Sequence, residues 1–210
     1  MRGLPKVLLV TDPSYTEVHI EGVVVRVGAA LARGSFGVLL RDKQRSRAAV
    51  VGLAERLRAA TASCGAPLIL HSDASLALAV NADGIHLGSD VSKDGARALT
   101  EARHALPNAW ISVAAHTDED VERAAVGGAD AVLVSPIYDS PGKGPPRGVA
   151  AIASARALDP GLAIYALGGV DAKRARACRD AGATGVAVIR ALLAATDPVA
   201  VALAIDAALV

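Results

Sequence analysis

The residues of this sequence that could do chemistry recur at one kind of position, directly after a short apolar run. They are Thr11, Asp12, Arg41, Lys43, His71, Asp73, His86, Asp90, His116, Ser140, Lys143, Gly168, Gly169 and Arg190. Cations can neutralise a phosphate, and histidine can transfer protons near neutral pH. The common position therefore predicts one site for a small phosphorylated ligand, with Arg41, Lys43, His71, His116 and Lys143 as its candidate catalytic residues.

Two segments near the C-terminus have the pattern of a phosphate site. ALGGV at 166–170 places two glycines between an apolar run and a helical pattern. AVIRALL at 187–193 passes directly from an apolar run into a helical pattern. Glycine lets a phosphate approach the backbone, and the amides that begin a helix bind anions. The pattern predicts phosphate binding by Gly168, Gly169, Ile189 and Arg190. The alternative is that the two glycines only form a tight turn.

The elements that must position these residues alternate along the chain. Eight short apolar runs predict strands buried on both faces: 6–11, 36–41, 67–71, 83–87, 110–115, 130–135, 162–167 and 185–189. Amphipathic segments between them predict helices, for example 46–63, 94–105, 117–127 and 171–181. The pattern predicts a single-domain α/β protein over residues 1–210, a (β/α)8 TIM barrel, whose strand ends share one opening. The Gly- and Pro-rich segment 139–148 should arch over that opening.

Composition narrows the class of protein. The formal net charge is +1 and 52% of the residues are hydrophobic, which argues against a nucleic-acid partner and allows a large core. Cys64 and Cys178 are expected to be reduced. The N-terminal apolar run stops at Asp12, so we expect a strand there, neither a signal peptide nor a membrane span. A cytoplasmic enzyme without a membrane partner is expected, and the apolar segment 198–210 makes a homodimer plausible.

Seven motifs, in order along nearly the whole chain, resemble the thiamine phosphate synthase/TenI family. They are VLLVTDP at 7–13, LRDK at 40–43, ADGIHLG at 82–88, AAHT at 114–117, GADAVLVSPIYDSPGKG at 128–144, ALGGV at 166–170 and GVAVIRAL at 185–192. The resemblance implies a transferase that joins an aminopyrimidine methyl diphosphate to a thiazole phosphate and releases pyrophosphate. Its partners would be small phosphorylated heterocycles.

The resemblance also implies roles for individual residues. Arg41 and Lys43 match the residues that grip the diphosphate, and Lys143 matches a lysine that holds the pyrophosphate. Gly169 lies at the thiazole phosphate turn. Ser140 keeps the hydroxyl of a threonine in the loop that carries Lys143.

Other positions depart from the family. The two Mg2+ carboxylates of the family fall on Ser72 and Val91, so the resemblance implies Mg2+ without its usual ligands. Asp73 and Asp90 lie one residue away from these positions and could replace the carboxylates only if the loops shift. Further departures are His71 for asparagine, Leu39 for glutamine, Gly142 for threonine, and Ala114 and Arg190 for serines.

Three interpretations stay open. The chain is a thiamine phosphate synthase, or it is a TenI-like, metal-independent protein that binds or isomerises a thiazole phosphate. The histidine with which TenI proteins catalyse tautomerisation falls on Pro136, so His71 or His116 would have to act as base, although His116 could instead form a structural hydrogen bond. In the third interpretation His71, His86 and His116 bind Zn2+ in a hydrolase. His86 is otherwise expected to orient the loop after the fourth strand.

Overall fold

Eight parallel strands close into a barrel in chain order, as the alternating pattern predicts. The structure is a computed structural model that describes residues 4–88 and 95–210, except the side chains of residues 95 and 96. The strands are β1 Val7–Val10, β2 Phe36–Leu40, β3 Leu68–His71, β4 Gly84–Leu87, β5 Trp110–Ala115, β6 Ala131–Val134, β7 Ala163–Leu167 and β8 Gly185–Val188. Val7 of β1 pairs with Val186 of β8, which closes the barrel.

The helices follow the strands and cover their outer faces. They are α1 Glu17–Ala30, α2 Arg47–Cys64, α3 Ala74–Ala79, α4 Gly95–Ala105, α5 Asp118–Val126, α6 Ala150–Leu158, α7 Ala172–Asp180, α8 Arg190–Leu193 and α9 Pro198–Ala208. The prediction of a single (β/α)8 TIM barrel is confirmed. No helix within residues 4–88 and 95–210 is long and apolar enough to cross a membrane. Cys64 and Cys178 are both free thiols.

Alternate residues of each strand point into the barrel, because successive side chains lie on opposite faces. Leu8, Leu39, Ile69 and Leu133 belong to the cluster that fills the interior, and their neighbours in the strands pack against the helices. At the N-terminal end of the barrel, Tyr165 fills the space between smaller residues and donates its hydroxyl to the carbonyl of Pro5 at 2.6 Å. The same alternation carries positions 41 and 71 to the inner side at the opposite end.

Three loops at the N-terminal end of the barrel share one hydrogen-bonding arrangement. A side chain that precedes an even-numbered strand accepts the backbone amide of a residue at the start of the preceding strand, at 2.9, 2.7 and 3.0 Å. An arginine from the helix before the odd-numbered strand of the pair donates to the same side chain, at 2.6, 2.7 and 3.2 Å. The sets are Asp83, Leu68 and Arg58; Asp130, Ile111 and Arg103; and Thr184, Ile164 and Arg156. They stabilise the end of the barrel away from the predicted site.

The loop between β6 and α6 contains no helix or strand over 139–148, as predicted. Its base is closed by two backbone hydrogen bonds, from Arg147 to Pro136 at 2.8 Å and from Gly148 to Ile137 at 3.0 Å. The Arg147 guanidinium also donates to Asp118 of α5 at 2.6 Å. Residues 141–146 of the loop are exposed. The loop therefore has a fixed base and an exposed tip.

Candidate active site

The C-terminal ends of β2 to β5 bring a cation and three histidines together inside the barrel mouth. Arg41 follows the interior residue Leu39 by two positions, and His71 follows Ile69 in the same way. The rings of His71 and His86 lie 5.7 Å apart, centroid to centroid. The charges of His71, Arg41 and His116 all act on His86, which places the four groups in one neighbourhood.

His86 is the buried member of this group. Its Nδ1 lies 2.9 Å from the Ser112 hydroxyl. Burial first, and then the electrostatic effects of His71, Arg41 and His116, lower the pKa of His86 to about 3. The ring is therefore neutral at physiological pH and suits positioning better than proton transfer. The sequence predicts that His86 orients the loop after β4, and most of that loop lies outside the described residues. The main-chain carbonyl of His86 accepts the amide of Ser72, after β3, at 2.9 Å.

His71 and His116 are held by the same kind of bond. In each, Nδ1 lies close to a main-chain carbonyl of the neighbouring strand or its end: 3.1 Å from the carbonyl of His86 for His71, and 3.0 Å from that of Ser135 for His116. A carbonyl only accepts hydrogen bonds, so this geometry assigns a proton to Nδ1, and in the neutral tautomer Nε2 is then the acceptor. Both predicted histidines thus have a defined tautomer.

Asp120 fixes the backbone beside His116. Its Oδ2 accepts the amide of His116 at 2.8 Å, and its Oδ1 accepts from the Arg123 guanidinium at 2.6 Å. Burial acts to raise the pKa of Asp120. The hydrogen bonds from His116, Arg123 and Thr117 lower the pKa by more than burial raises it, so the pKa lies below its ordinary value. Sequence reasoning missed Asp120, although the Thr117–Asp120 spacing is that of a helix capping box.

Arg41 and Lys43 are carried by a tightly bonded loop. The buried Thr11 hydroxyl accepts the Arg41 amide at 2.9 Å and donates to the Arg41 carbonyl at 3.1 Å, which ties this loop to β1. The Arg41 side chain is half-buried and Lys43 is exposed. Between them, Asp42 accepts the amides of Gln44 and Arg45, each at 2.9 Å. The two cations therefore lie on a backbone that Thr11 and Asp42 hold in place.

The glycine turn after β7 packs against the β6–α6 loop. Gly168 and Gly169 have φ of 100° and 63°, a backbone region that disfavours other residues. A Cβ on Gly169 would lie 2.6 Å from the carbonyl of Asp139, and one on Gly168 would lie 3.2 Å from the Ser140 hydroxyl. The turn is therefore tight, as the alternative interpretation requires, but it also lies beside Ser140, as a phosphate site requires.

Open backbone amides lie at the two predicted phosphate segments. Within residues 4–88 and 95–210, the amides of Gly168, Gly169, Ile189 and Arg190 donate to no protein acceptor. Arg190 begins α8 and its side chain is exposed. Lys143 is exposed on the tip of the β6–α6 loop, where its amide donates to the Ser140 carbonyl at 3.1 Å. These groups suit an anion, and their assignment as binding residues stays a prediction.

The residues around Ser72 do not fit a Mg2+ site. Ser72 offers a hydroxyl, 3.1 Å from His71 Nδ1, where the family has a carboxylate. Asp73 caps α3: its Oδ1 accepts the Leu76 amide and the Ser75 hydroxyl, both at 2.8 Å, and its Oδ2 pairs with Arg47. Both carboxylate oxygens of Asp73 are therefore engaged by protein donors at the start of α3. Asp90 and Val91 lie outside the described residues.

The zinc interpretation finds no support. In the described part of the chain, no three or more His, Cys, Asp or Glu side chains form a group that could hold a metal ion, and this includes His71, His86 and His116. Their proximity was predicted correctly. The rings of His71 and His116 are instead oriented by main-chain carbonyls. The buried ring of His86 is oriented by the Ser112 hydroxyl.

Comparisons with known proteins agree with this geometry. A family model described as thiamine monophosphate synthase matches residues 7–192. The thiamine-phosphate synthase of Roseiflexus castenholzii is 37% identical over 177 residues, which cover 82% of this chain and 75% of that protein. The thiamine-phosphate synthase of Deinococcus radiodurans is 35% identical over 217 residues, covering 99% and 75%.

A solved structure shares the fold. Thiamine phosphate pyrophosphorylase from Pyrococcus furiosus superimposes with a TM-score of 0.82 at 21% identity, covering 99% of this chain and 96% of that one. The family model covers the barrel from its first strand to its last. The chain belongs to the thiamine monophosphate synthase family.

Proposed function

We propose that this chain is a transferase that couples an aminopyrimidine methyl diphosphate to a thiazole phosphate and releases pyrophosphate. The observation that supports the proposal is the composition of the barrel mouth: the half-buried Arg41 follows β2, and the open amides of Gly168 and Gly169 follow β7. Two anionic substrates require two such regions. The relatives are named as thiamine-phosphate synthases, and the family resemblance implies the two substrates.

The first step breaks the bond between the methylene carbon and the diphosphate oxygen. The bonding electron pair leaves with the oxygen, and the aminopyrimidine ring delocalises the positive charge left on the carbon. Arg41, Lys43 and Lys143 hold the diphosphate and stabilise the negative charge that develops on it. Arg41 contributes most, because its partial burial strengthens the interaction relative to that of an exposed lysine.

The second step joins the rings. The phosphate of the thiazole binds at Ser140, Gly168, Gly169, Ile189 and Arg190, and the lone pair of the thiazole nitrogen forms the new bond to the methylene carbon. No proton is released, so the step needs no general base. His71 and His116 instead accept hydrogen bonds through Nε2 from the pyrimidine amine, whose N–H groups become more positive as pyrophosphate departs.

Mg2+ would supply further neutralisation of the diphosphate if residues outside the described part of the chain held it. Ser72 offers a hydroxyl and Asp73 is committed to α3, so we assign no step to the metal. The proposed reaction relies on side-chain cations. This distinguishes the chain from the Mg2+-dependent chemistry that the family resemblance implies.

The test is turnover of the two substrates by the purified protein, with Mg2+ and with EDTA. We expect pyrophosphate and the coupled thiazolium product in equal amounts, with activity in EDTA retained to within about tenfold. Absence of product from folded, ligand-binding protein would reject the synthase activity. Complete loss of activity in EDTA would instead show that the reaction depends on a metal ion.

A second candidate function is metal-independent binding or isomerisation of a thiazole phosphate without coupling. Ser72 and the exposed Arg190 favour it, because the first removes a carboxylate and the second adds a cation that can pair with phosphate. Calorimetric binding of the thiazole phosphate, unchanged by a chelator, together with no pyrophosphate release would support this function over the first.

We further propose a cytoplasmic location and a homodimer formed through α9. Leu203 on α9 keeps 46% of its surface exposed, which suits a contact between subunits. Sedimentation of the protein and of Leu203→Glu tests the dimer. A monomeric wild-type protein would reject it.

A further inference from the structure

Arg174 joins the two loops that hold anions in the proposed function. This exposed residue of α7 donates from Nη1 to the carbonyl of Gly169 at 2.6 Å. The carbon at the centre of its guanidinium lies 4.7 Å from the centroid of the Tyr138 ring, a cation–π geometry. Tyr138 belongs to the β6–α6 loop, five residues before Lys143. One side chain therefore contacts both the glycine turn and the loop that carries Ser140 and Lys143.

Tyr138 is itself held from two sides. Its amide donates to the carbonyl of Gly168 at 2.9 Å. Its hydroxyl lies near the buried thiol of Cys178, which lies one helical turn after Arg174 on α7. Burial, together with this contact to Cys178, raises the pKa of Tyr138 above its ordinary value. The tyrosine ring is thus fixed against the face of α7 from which Arg174 extends.

These contacts determine what the glycine turn presents to a ligand. Both of its carbonyl oxygens, on Gly168 and Gly169, accept hydrogen bonds from protein donors. A carbonyl oxygen facing a phosphate would repel it, whereas a backbone amide attracts it. Because the carbonyls are engaged elsewhere and the described residues offer no acceptor to the two amides, the turn is set for an anion.

We propose that Arg174 is a positioning residue for the phosphate of the second substrate. It orients the Gly168–Gly169 turn through the Gly169 carbonyl and holds that turn against the β6–α6 loop through Tyr138. The proposal rests on the proposed function for the identity of the ligand. It adds that affinity for the thiazole phosphate depends on the planar guanidinium stacked on Tyr138, and not on the positive charge alone.

Calorimetry with the thiazole phosphate alone tests the proposal on the full chain. We expect Arg174→Ala and Tyr138→Leu each to weaken binding about tenfold, and the double variant to be no weaker than the worse single one, because both remove the same contact. Arg174→Lys should behave like the alanine variant, since an ammonium keeps the charge but lacks the planar stack. Tyr138→Phe keeps the ring and should stay within about threefold of the wild type.

Kinetics separate positioning from general damage. The KM for the thiazole phosphate should rise with Arg174→Ala, while that for the aminopyrimidine diphosphate should change less than about threefold. Arg176→Ala is the matched control, because Arg176 lies on the same helix and, among the residues that the structure describes, pairs only with Asp180, at 3.3 Å in an exposed ion pair. Its binding should equal that of the wild type. Melting temperatures confirm that each variant is folded.

The outcomes distinguish this proposal from the proposed function. Full binding by Arg174→Ala, or rescue by Arg174→Lys, in an enzyme with normal wild-type turnover overturns the positioning role alone. Binding that depends on Arg174 in a protein without turnover supports the positioning role and rejects the synthase activity. A wild-type protein that neither binds the thiazole phosphate nor forms product overturns both.

Discussion

At the scale of single residues, burial decides the charge state at the barrel mouth. Arg41, His71 and His116 all act against the protonation of the buried His86. A neutral His86 limits the positive charge of the mouth to groups that a ligand can reach. The same burial makes the folded protein sensitive to acid, because the unfolded chain can protonate this ring freely.

The stability of the protein should therefore fall as the pH falls below about 6.5. The pKa of His86 rises from about 3 in the fold to its ordinary value on unfolding, so the unfolded state binds the extra proton throughout that range. Between pH 7 and pH 5 this linkage lowers the free energy of unfolding by about 2 kcal/mol. Urea denaturation at the two pH values measures it.

His86→Gln should remove most of that difference between the two pH values, whatever its stability at pH 7. His104→Gln provides the control, because His104 is exposed on α4 and its replacement should leave the difference unchanged. An equal pH dependence in the wild type and in His86→Gln would contradict the assignment.

At the scale of elements, the two ends of the barrel have separate tasks. The side chains of Asp83, Asp130 and Thr184 at the N-terminal end accept buried strand amides, whereas the loops at the C-terminal end leave amides open. Stability and binding should thus be separable by mutation.

Asp130→Ala should destabilise the protein by about 1–3 kcal/mol, because it leaves the buried amide of Ile111 without its acceptor and removes the carboxylate that pairs with Arg103. The KM values should stay unchanged below the melting temperature. Glu101→Ala, which breaks the exposed pair with Arg97, should destabilise the protein much less, because solvent screens an exposed ion pair. Equal costs in urea denaturation would show that the loop arrangement adds nothing to an ordinary surface pair.

Gly169→Ala tests the fit between the glycine turn and the β6–α6 loop. Its Cβ would meet the Asp139 carbonyl at 2.6 Å, so either the turn or the loop must move. We expect a loss of stability beyond the roughly 1 kcal/mol of positive-φ strain, and a KM for the thiazole phosphate at least about tenfold higher.

Gly34→Ala is the control for strain alone, since Gly34 has φ of 87° and its Cβ would meet nothing within 4 Å. It should cost about 1 kcal/mol and leave both KM values unchanged. If the two alanine variants behaved alike, the close approach of the loops would have no role in binding.

At the scale of the whole molecule, barrel closure gathers charges that are far apart in the sequence. Arg41 and Lys143 lie on loops after β2 and β6, and the chain between them forms most of the barrel wall. If both bind the diphosphate, as proposed, the closed barrel places them at one mouth before the ligand arrives, so binding costs less entropy.

Pyrophosphate should therefore raise the melting temperature in EDTA. At a concentration of 100 times its Kd, the stabilisation should be about 2.7 kcal/mol, and Mg2+ should add little to it. Differential scanning fluorimetry measures the shift. A shift that needs Mg2+ would show that the metal, and not the cations of the wall, holds the diphosphate.

The sequence by itself determined the order of elements and predicted the location of the site. Buried strands such as 110–115 are local apolar runs, and their ends mark the mouth of a barrel, so Arg41, His71 and His116 were found by position alone. The loop 139–148 followed from its glycines and prolines. These properties depend on neighbouring residues, which a sequence displays directly.

Only the tertiary structure decided which groups meet and in what state. It assigned the tautomers of His71 and His116, committed Asp73 to α3, and made His86 neutral by burial. It also brought Arg174 onto Tyr138, 36 positions earlier in the chain. Such contacts join loops that are adjacent only because the strands between them close into a barrel, and no local pattern of residues encodes that adjacency.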